Sequence, residues 1–165
     1  MTRTIVLIVV TLIVQRVFGM PGLPVWSSEI LLPAIWLVSP ALLRHDRRWV
    51  YFAVLLGVGW DLLLEPVVGP GGIAWSVAAL CLLALAGVVA DRSPKAWAFF
   101  GGVCALVVIF ARRLALLPLG LVAPLTLPHV VRSTLLTALW CGFIGTILAL
   151  DLPARWRAYR VRKLH

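Results

Sequence analysis

The sequence predicts an all-α integral membrane protein with six transmembrane helices and with both termini in the cytoplasm. Of its 165 residues, 62% are hydrophobic and only 13% are charged, and the mean hydropathy is +1.06. Water-soluble domains of ordinary composition carry far more charge. Six spans of about 20 residues each would use most of the chain. The predicted organisation is therefore a six-helix transmembrane domain at 1–152 and a basic cytoplasmic tail at 153–165.

The first two predicted spans each contain a feature that a lipid-facing helix would avoid. The first, at about 4–20, carries Gln15 and Arg16 near its far end. Thr4, Thr11 and Gln15 fall near one face at helical spacing, so one side of this helix should face protein. The second, at about 25–43, contains Pro33 and ends near Pro40. We expect Pro33 to kink or break that helix, because proline removes a backbone hydrogen bond and crowds the preceding turn.

The third predicted span is short and contains a carboxylate. It covers 49–64 and includes Gly57, Gly59 and Asp61, and Glu65 follows directly. A turn rich in proline and glycine leads to the fourth span, at about 72–90. A short, glycine-containing helix is tolerated in a bilayer only where protein or a polar cavity surrounds it. The third span should therefore lie inside the bundle.

The last two predicted spans are separated by a stretch rich in leucine and proline. The fifth starts near residue 96 and carries Arg112 and Arg113 before its far end, and the sixth covers 133–150. Residues 114–128 have two interpretations. They complete the fifth span and then lie flat in the membrane interface, or they form a partly re-entrant loop. The first is favoured.

Lysine and arginine are distributed asymmetrically between the two sides of these spans. With the N terminus inside, the cytoplasmic side holds Arg3, Arg44, Arg47, Arg48, Arg92, Lys95, Arg155, Arg157, Arg160, Arg162 and Lys163. The outer loops hold only Arg132. This distribution is what the positive-inside rule requires. The net charge of +9 accordingly indicates contact with membrane lipid rather than nucleic acid. For the tail, an anchor on anionic lipid is favoured over a cytoplasmic protein partner.

Several charged residues fall deep within predicted spans, toward the outer side. At 1.5 Å per residue, Arg16 and Asp61 each lie about 18 Å from the inner end of their helix, and Arg112 lies about 22 Å from it. An unpaired charge at such depth is costly. The sequence therefore predicts an outer cluster of ion pairs, whose candidates are Asp61, Glu65, Arg16, Arg112 and Arg113.

A structural ion pair that fixes helix register is the favoured role for that cluster. A proton or ion path and catalysis are the alternatives. However, no nucleophile–base pair, metal-ligand spacing or phosphate-binding loop accompanies the charges. We therefore expect no enzymatic activity, no catalytic residue, no cofactor and no metal.

Small residues recur along one face of the sixth span. They are Thr134, Ala138, Gly142 and Thr146, with Cys141, Gly145 and Ala149 on the adjacent row. A similar patch in the fifth span contains Gly101 and Gly102. Small residues let helix backbones approach closely. Packing within the chain is favoured over contact with another protein, and the helix-packing or interface candidates are Gly57, Gly59, Ala138, Gly142, Gly145 and Thr146.

The order of features between about residues 31 and 90 resembles the rod shape-determining MreD family. A proline-bearing span and a basic turn precede Gly-Val-Gly-Trp-Asp-Leu-Leu-Leu at 57–64, and a short turn then leads to Gly71 and Gly72. In that family a glycine-rich third segment ends in Asp-Leu-Leu before a glycine-led fourth one. Gly57 and Asp61 match the motif, whereas Glu65 replaces a residue that is more often small or neutral. The last third of the chain matches only in hydropathy.

The resemblance implies a non-enzymatic component of the bacterial cell-wall elongation complex in the inner (cytoplasmic) membrane. Such proteins bind MreC, and through it MreB, RodA and a class B penicillin-binding protein, and help to control cell shape and peptidoglycan synthesis. Their architecture is similar to that of the substrate-binding subunits of energy-coupling-factor transporters. The alternative is therefore a vitamin-type small-molecule binding subunit, which needs an outward pocket with convergent polar groups. The few polar side chains in the outer loops favour the scaffold.

Overall fold

A computed structural model of the chain describes residues 2–21, 28–43, 49–65, 67–88, 93–121 and 126–150. Most of these residues are helical and none forms a β-strand, which confirms the prediction of an all-α protein for this part of the chain. The α-helices are α1 (Thr2–Phe18), α2 (Ile35–Leu43), α3 (Trp49–Leu64), α4 (Pro70–Ala86), α5 (Pro94–Leu116) and α6 (Leu127–Ala149), with 3₁₀ turns at Leu32–Ala34 and Leu117–Leu119.

Two of the helical segments are long and apolar enough to cross a membrane. They are Pro94–Leu119, which joins α5 to the 3₁₀ turn after it, and α6. The other four helices are apolar but shorter, with at most 17 residues each. The six spans that the sequence predicts are therefore not established by helix length, and their number stays a prediction.

Three prolines have different effects on the helices in which they lie or which they precede. Pro33 lies in the 3₁₀ turn before α2, so the chain is not a continuous α-helix there. Pro40, which we expected to end that helix, instead lies inside α2, where it is buried and the helix continues to Leu43. Pro128 lies in the first turn of α6, where a missing N–H costs no helical hydrogen bond. For this reason α6 begins at Leu127 rather than near residue 133.

The leucine- and proline-rich stretch and the tail are described only in part. Helix α5 continues through Leu116 and ends in the exposed turn Leu117–Leu119. Residues 122–125 and the basic tail at 153–165 lie outside the described residues, as does the basic loop at 44–48.

Helices α5 and α6 are in close contact along their small residues. Gly145 lies against the ring of Trp97, since a Cβ there would be 2.5 Å from its Cγ. Gly142 faces Ala98, and Ala138 faces Gly102. The sixth-span candidates Ala138, Gly142 and Gly145 thus contact α5 of the same chain. Thr146 is exposed, and its hydroxyl donates to the carbonyl of Gly142 at 2.9 Å.

Gly101 and Gly102 provide a matched test of this contact. A Cβ at Gly101 would lie 2.6 Å from the Cβ of Cys141, whereas at Gly102 it would lie 3.5 Å from the Cβ of Ala138. We expect Gly101→Ala to lower the free energy of unfolding by about 1–3 kcal/mol, because the overlap involves atoms next to the backbone. Gly102→Ala should be neutral or stabilise by up to about 1 kcal/mol, since alanine favours a helix interior. Unfolding of the detergent-solubilised variants measures both, and equal losses would contradict the contact.

Candidate functional site

Helices α3 and α4 meet backbone to backbone at Gly57. A Cβ at this position would overlap the carbonyl of Gly71 and lie 2.7 Å from the Cα of Gly72. No other residue fits without moving one helix away from the other. Gly59, on the same helix, lies instead against Leu12 of α1, and a Cβ there would be 3.0 Å from the end of that leucine side chain.

One turn beyond Gly57, the carboxylate of Asp61 caps the N terminus of α4. Asp61 is fully buried. Its Oδ2 accepts the backbone N–H of Gly69 at 2.7 Å, and its two oxygens accept that of Gly71 at 3.0 and 2.9 Å. Amides at a helix N terminus have no partner within the helix, and a negative charge there is stabilised by the helix dipole. Asp61 therefore ties the end of α3 to the start of α4.

The turn that Asp61 caps has a backbone suited to glycine. Gly69, the residue before the helix, has φ of 129°, a left-handed conformation that residues with a side chain rarely adopt. Pro70 follows and has no N–H to satisfy. The amides of Gly69 and Gly71 at this turn thus share one carboxylate as their acceptor.

This arrangement corrects the predicted partner of Asp61. We expected an arginine, but the carboxylate is bonded to backbone amides. The arginine pairs with Glu65 instead, because Arg112 Nη2 lies 2.5 Å from Glu65 Oε2. Asp61, Glu65 and Arg112 nevertheless line one small cavity of about 200 Å³. Arg113 is the next residue of α5 and is half-buried.

A second, larger cavity of about 310 Å³ lies where α1 ends and α6 begins, and we refer to it as the polar cavity. Its polar lining includes Gln15, Arg16, Glu29, Glu65, Arg112 and His129. On one side it is closed by Trp60 and Trp75, whose ring centroids are 5.6 Å apart. The structure thus brings Arg16, Glu65 and Arg112 to one cavity, while Asp61 lies outside its lining.

Glu29 is the buried carboxylate of the polar cavity. It is only 6% exposed. Its Oε1 lies 3.3 Å from His129 Nδ1, and its Oε2 lies 2.9 Å from Arg132 Nε. The approach of Arg132 is an ion pair without hydrogen-bond geometry, since Glu29 Oε2 has no hydrogen-bond donor among the described residues. Both basic partners come from the first turns of α6.

Helical structure stops after Glu29, at Ile30 and Leu31, so the backbone there needs other partners. Gln15 of α1 accepts the N–H of Leu32 at 3.0 Å, and Thr137 of α6 accepts the N–H of Leu31 at 3.1 Å. The hydroxyl of Ser133 donates to the carbonyl of Glu29 at 2.7 Å. Since a buried amide without a partner is costly, these side chains hold the segment in place between α1 and α6.

Sequence reasoning missed most of these residues. Glu29 and His129 belong to the few polar side chains that the sequence places in the outer loops, and Thr137 and Ser133 had no predicted role. A usable signal was present, because buried polar residues in apolar helices require partners. Their partners are backbone groups of Glu29, Leu31 and Leu32. These residues come just before Pro33, where the sequence predicts a kink or a break in the helix.

One cation at the polar cavity is not matched by a carboxylate. Glu29 is matched by Arg132 and Glu65 by Arg112, whereas Arg16 has no ion-pair partner among the described residues. No group of three His, Cys, Asp or Glu side chains in the described segments is placed to hold a metal ion. The polar cavity can therefore receive a negatively charged group without displacing an existing ion pair.

Comparison of the chain with known protein families, with curated proteins and with solved structures finds no match.

Proposed function

We propose that this protein is a non-enzymatic scaffold of the bacterial cell-wall elongation complex and that it binds an MreC-like partner. In this proposal it spans the inner membrane six times, with both termini in the cytoplasm. The observation that carries the proposal is the α3–α4 junction. The motif residues that resemble the MreD family meet there, since Gly57 packs on the backbone of Gly71 and Asp61 caps α4.

The roles of these residues favour a scaffold over an enzyme. Asp61 is fully buried and both of its oxygens accept backbone amides, so it holds two helices together. Such a carboxylate is poorly placed to exchange protons with a substrate. A scaffold needs a rigid arrangement of helices to present a constant surface to its partner, and the junction supplies one.

Exposed apolar side chains support placing the shorter helices in a membrane as well. Helix α1 exposes Ile5, Val6, Leu7, Val9, Val10, Ile13, Val14 and Val17, and α3 exposes Tyr51, Val54, Leu55, Leu62 and Leu63. Surfaces this apolar are unusual in water-soluble monomers. A 17-residue helix such as α1 is about 25 Å long, somewhat less than a typical hydrocarbon core. Local thinning of the bilayer accommodates such a mismatch at modest cost.

Partner capture tests the proposal. The tagged protein is co-expressed with an MreC-like protein, solubilised in mild detergent and purified through the tag. We expect the MreC-like protein to co-purify and a tagged, unrelated multi-span membrane protein to leave it behind. Equal recovery with both baits, or none with either, would count against the scaffold. Contacts with MreB, RodA and a class B penicillin-binding protein are proposed only through MreC.

The polar cavity favours a second candidate, the substrate-binding subunit of a vitamin-type transporter. A volume of about 310 Å³ with several polar groups is at the lower end of the range for small-molecule sites. This candidate predicts that a vitamin-like molecule co-purifies with the protein and is detected by mass spectrometry after denaturation. Such a molecule, together with a failure of the partner capture, would replace the scaffold with the transporter subunit.

A further inference from the structure

The ion pairs at the polar cavity leave one guanidinium group unmatched. Two guanidinium groups, those of Arg16 and Arg112, and two carboxylates, Glu29 and Glu65, line the polar cavity. Glu65 is ion-paired with Arg112, whereas Glu29 is ion-paired with Arg132, which lies outside the lining. Arg16 remains as an exposed cation at the end of α1 without an ion-pair partner among the described residues.

We propose that the polar cavity binds a phosphate group, carried by a lipid headgroup or by a soluble phosphate ester, with Arg16 as its counter-ion. A guanidinium presents several N–H donors in a planar fork that matches phosphate oxygens. Because Glu29 and Glu65 keep their own partners, the phosphate adds the missing negative charge. Trp60 and Trp75 form an apolar wall beside it, against which the carbon part of the ligand packs.

The position of Arg16 is compatible with both sources of phosphate. Arg16 lies in the last turn of α1. If α1 spans the bilayer as proposed, this turn lies near lipid phosphates, whereas the volume of about 310 Å³ also accommodates a small soluble ester. A lipid headgroup as the source of the phosphate depends on the proposed location of the protein in the membrane. The phosphate site itself is independent of the MreC-like partner, so failure of the partner capture would not affect it.

Binding of phosphate-bearing probes to the purified protein tests the site. The delipidated protein in a neutral detergent is titrated with phosphatidylglycerol, and the bound lipid is counted by native mass spectrometry. A parallel titration uses glycerol 3-phosphate, with the shift of the melting temperature as the readout. The variants are Arg16→Gln and, as the matched control, Arg113→Gln, which removes the same charge from a residue outside the lining. Each variant is first checked for native helix content and a single size-exclusion peak.

We expect one tightly bound phosphate probe on the wild-type protein. Arg16→Gln should weaken it about tenfold or more, since charge-assisted hydrogen bonds are lost, and Arg113→Gln should change it less than about twofold by the same reasoning. If Arg16→Gln does not fold, Arg16→Lys replaces it, and an intermediate loss is expected because the charge stays while the planar fork is lost. Binding of phosphatidylglycerol alone identifies a lipid headgroup as the ligand, and binding of glycerol 3-phosphate identifies a soluble ester. If the probes bind the Arg16 variant as tightly as the wild-type protein, the proposal is overturned. It is also overturned if neither probe binds the wild-type protein.

Discussion

Replacing Gly71 with alanine is expected to lower the free energy of unfolding by about 3 kcal/mol or more. The added Cβ would overlap the Oδ1 atom of Asp61 and lie 2.8 Å from the carbonyl oxygen of Gly57. Neither neighbour can move freely, because one is a fully buried carboxylate and the other is backbone. Overpacking of a core costs about 1–3 kcal/mol, and displacing Asp61 from its amides adds a comparable loss. Titration of the protein with SDS in mixed micelles measures the difference.

Gly72 is the matched control for this substitution. A Cβ there would lie 3.4 Å from Val58 Cγ2, which is the far end of a side chain at ordinary contact distance. Alanine also favours a helix interior over glycine by up to about 1 kcal/mol. We therefore expect Gly72→Ala to leave stability nearly unchanged or to raise it slightly. If the two neighbouring alanines destabilise the protein equally, then the α3–α4 junction is not packed as described.

Asp61→Ala is expected to cost about 2–5 kcal/mol of unfolding free energy. The substitution leaves the amides of Gly69 and Gly71 without their acceptor, at about 1–3 kcal/mol each. Asp61→Asn should be less severe, because the side-chain oxygen of asparagine can still accept one N–H. Some loss is still expected, because the side-chain NH₂ group would face a backbone N–H and two donors cannot bond to each other. Melting temperature in mild detergent ranks the variants, and the expected order is wild type, then Asn, then Ala.

Glu65→Gln serves as the comparison for Asp61, since it removes a carboxylate four residues away. Its partner Arg112 is 34% exposed, so the ion pair contributes at most about 1 kcal/mol. We expect a correspondingly small loss. Equal effects of Glu65→Gln and Asp61→Ala would contradict the cap and favour the single charge cluster that the sequence predicted. A large loss at Asp61 alone would support the structural role of this carboxylate at the start of α4.

Much of the helical framework was predictable from the chain. The bounds of α3 agree with the prediction, because a basic loop precedes Trp49 and Glu-Pro follows Leu64. The approach of α5 to α6 followed from their small residues. The start of α6 was missed, since residues up to Pro128 were assigned to the leucine- and proline-rich stretch between the spans, although proline is well tolerated in the first turn of a helix.

The candidate site was predictable only in part. Buried charge required partners, and Arg112 was correctly included among them. The pairing of the two carboxylates with their donors was not predictable, because Asp61 and Glu65 differ by about one helical turn and depth alone does not separate them. Glu29 was not connected to the charged residues at all, since its partners lie about a hundred positions away in α6.

By itself the sequence determined the helical class, since high hydropathy and low charge leave few other ways to satisfy the backbone. It also marked Gly57, Asp61 and Gly71 as a group through the motif that resembles the MreD family. Only the tertiary structure decided what that group does. The glycines bring two backbones together, and this approach places the N-terminal amides of α4 within reach of Asp61. The hydrogen-bond partners of a side chain depend on which helix ends meet in the fold. The residue pattern along a single helix does not contain that information.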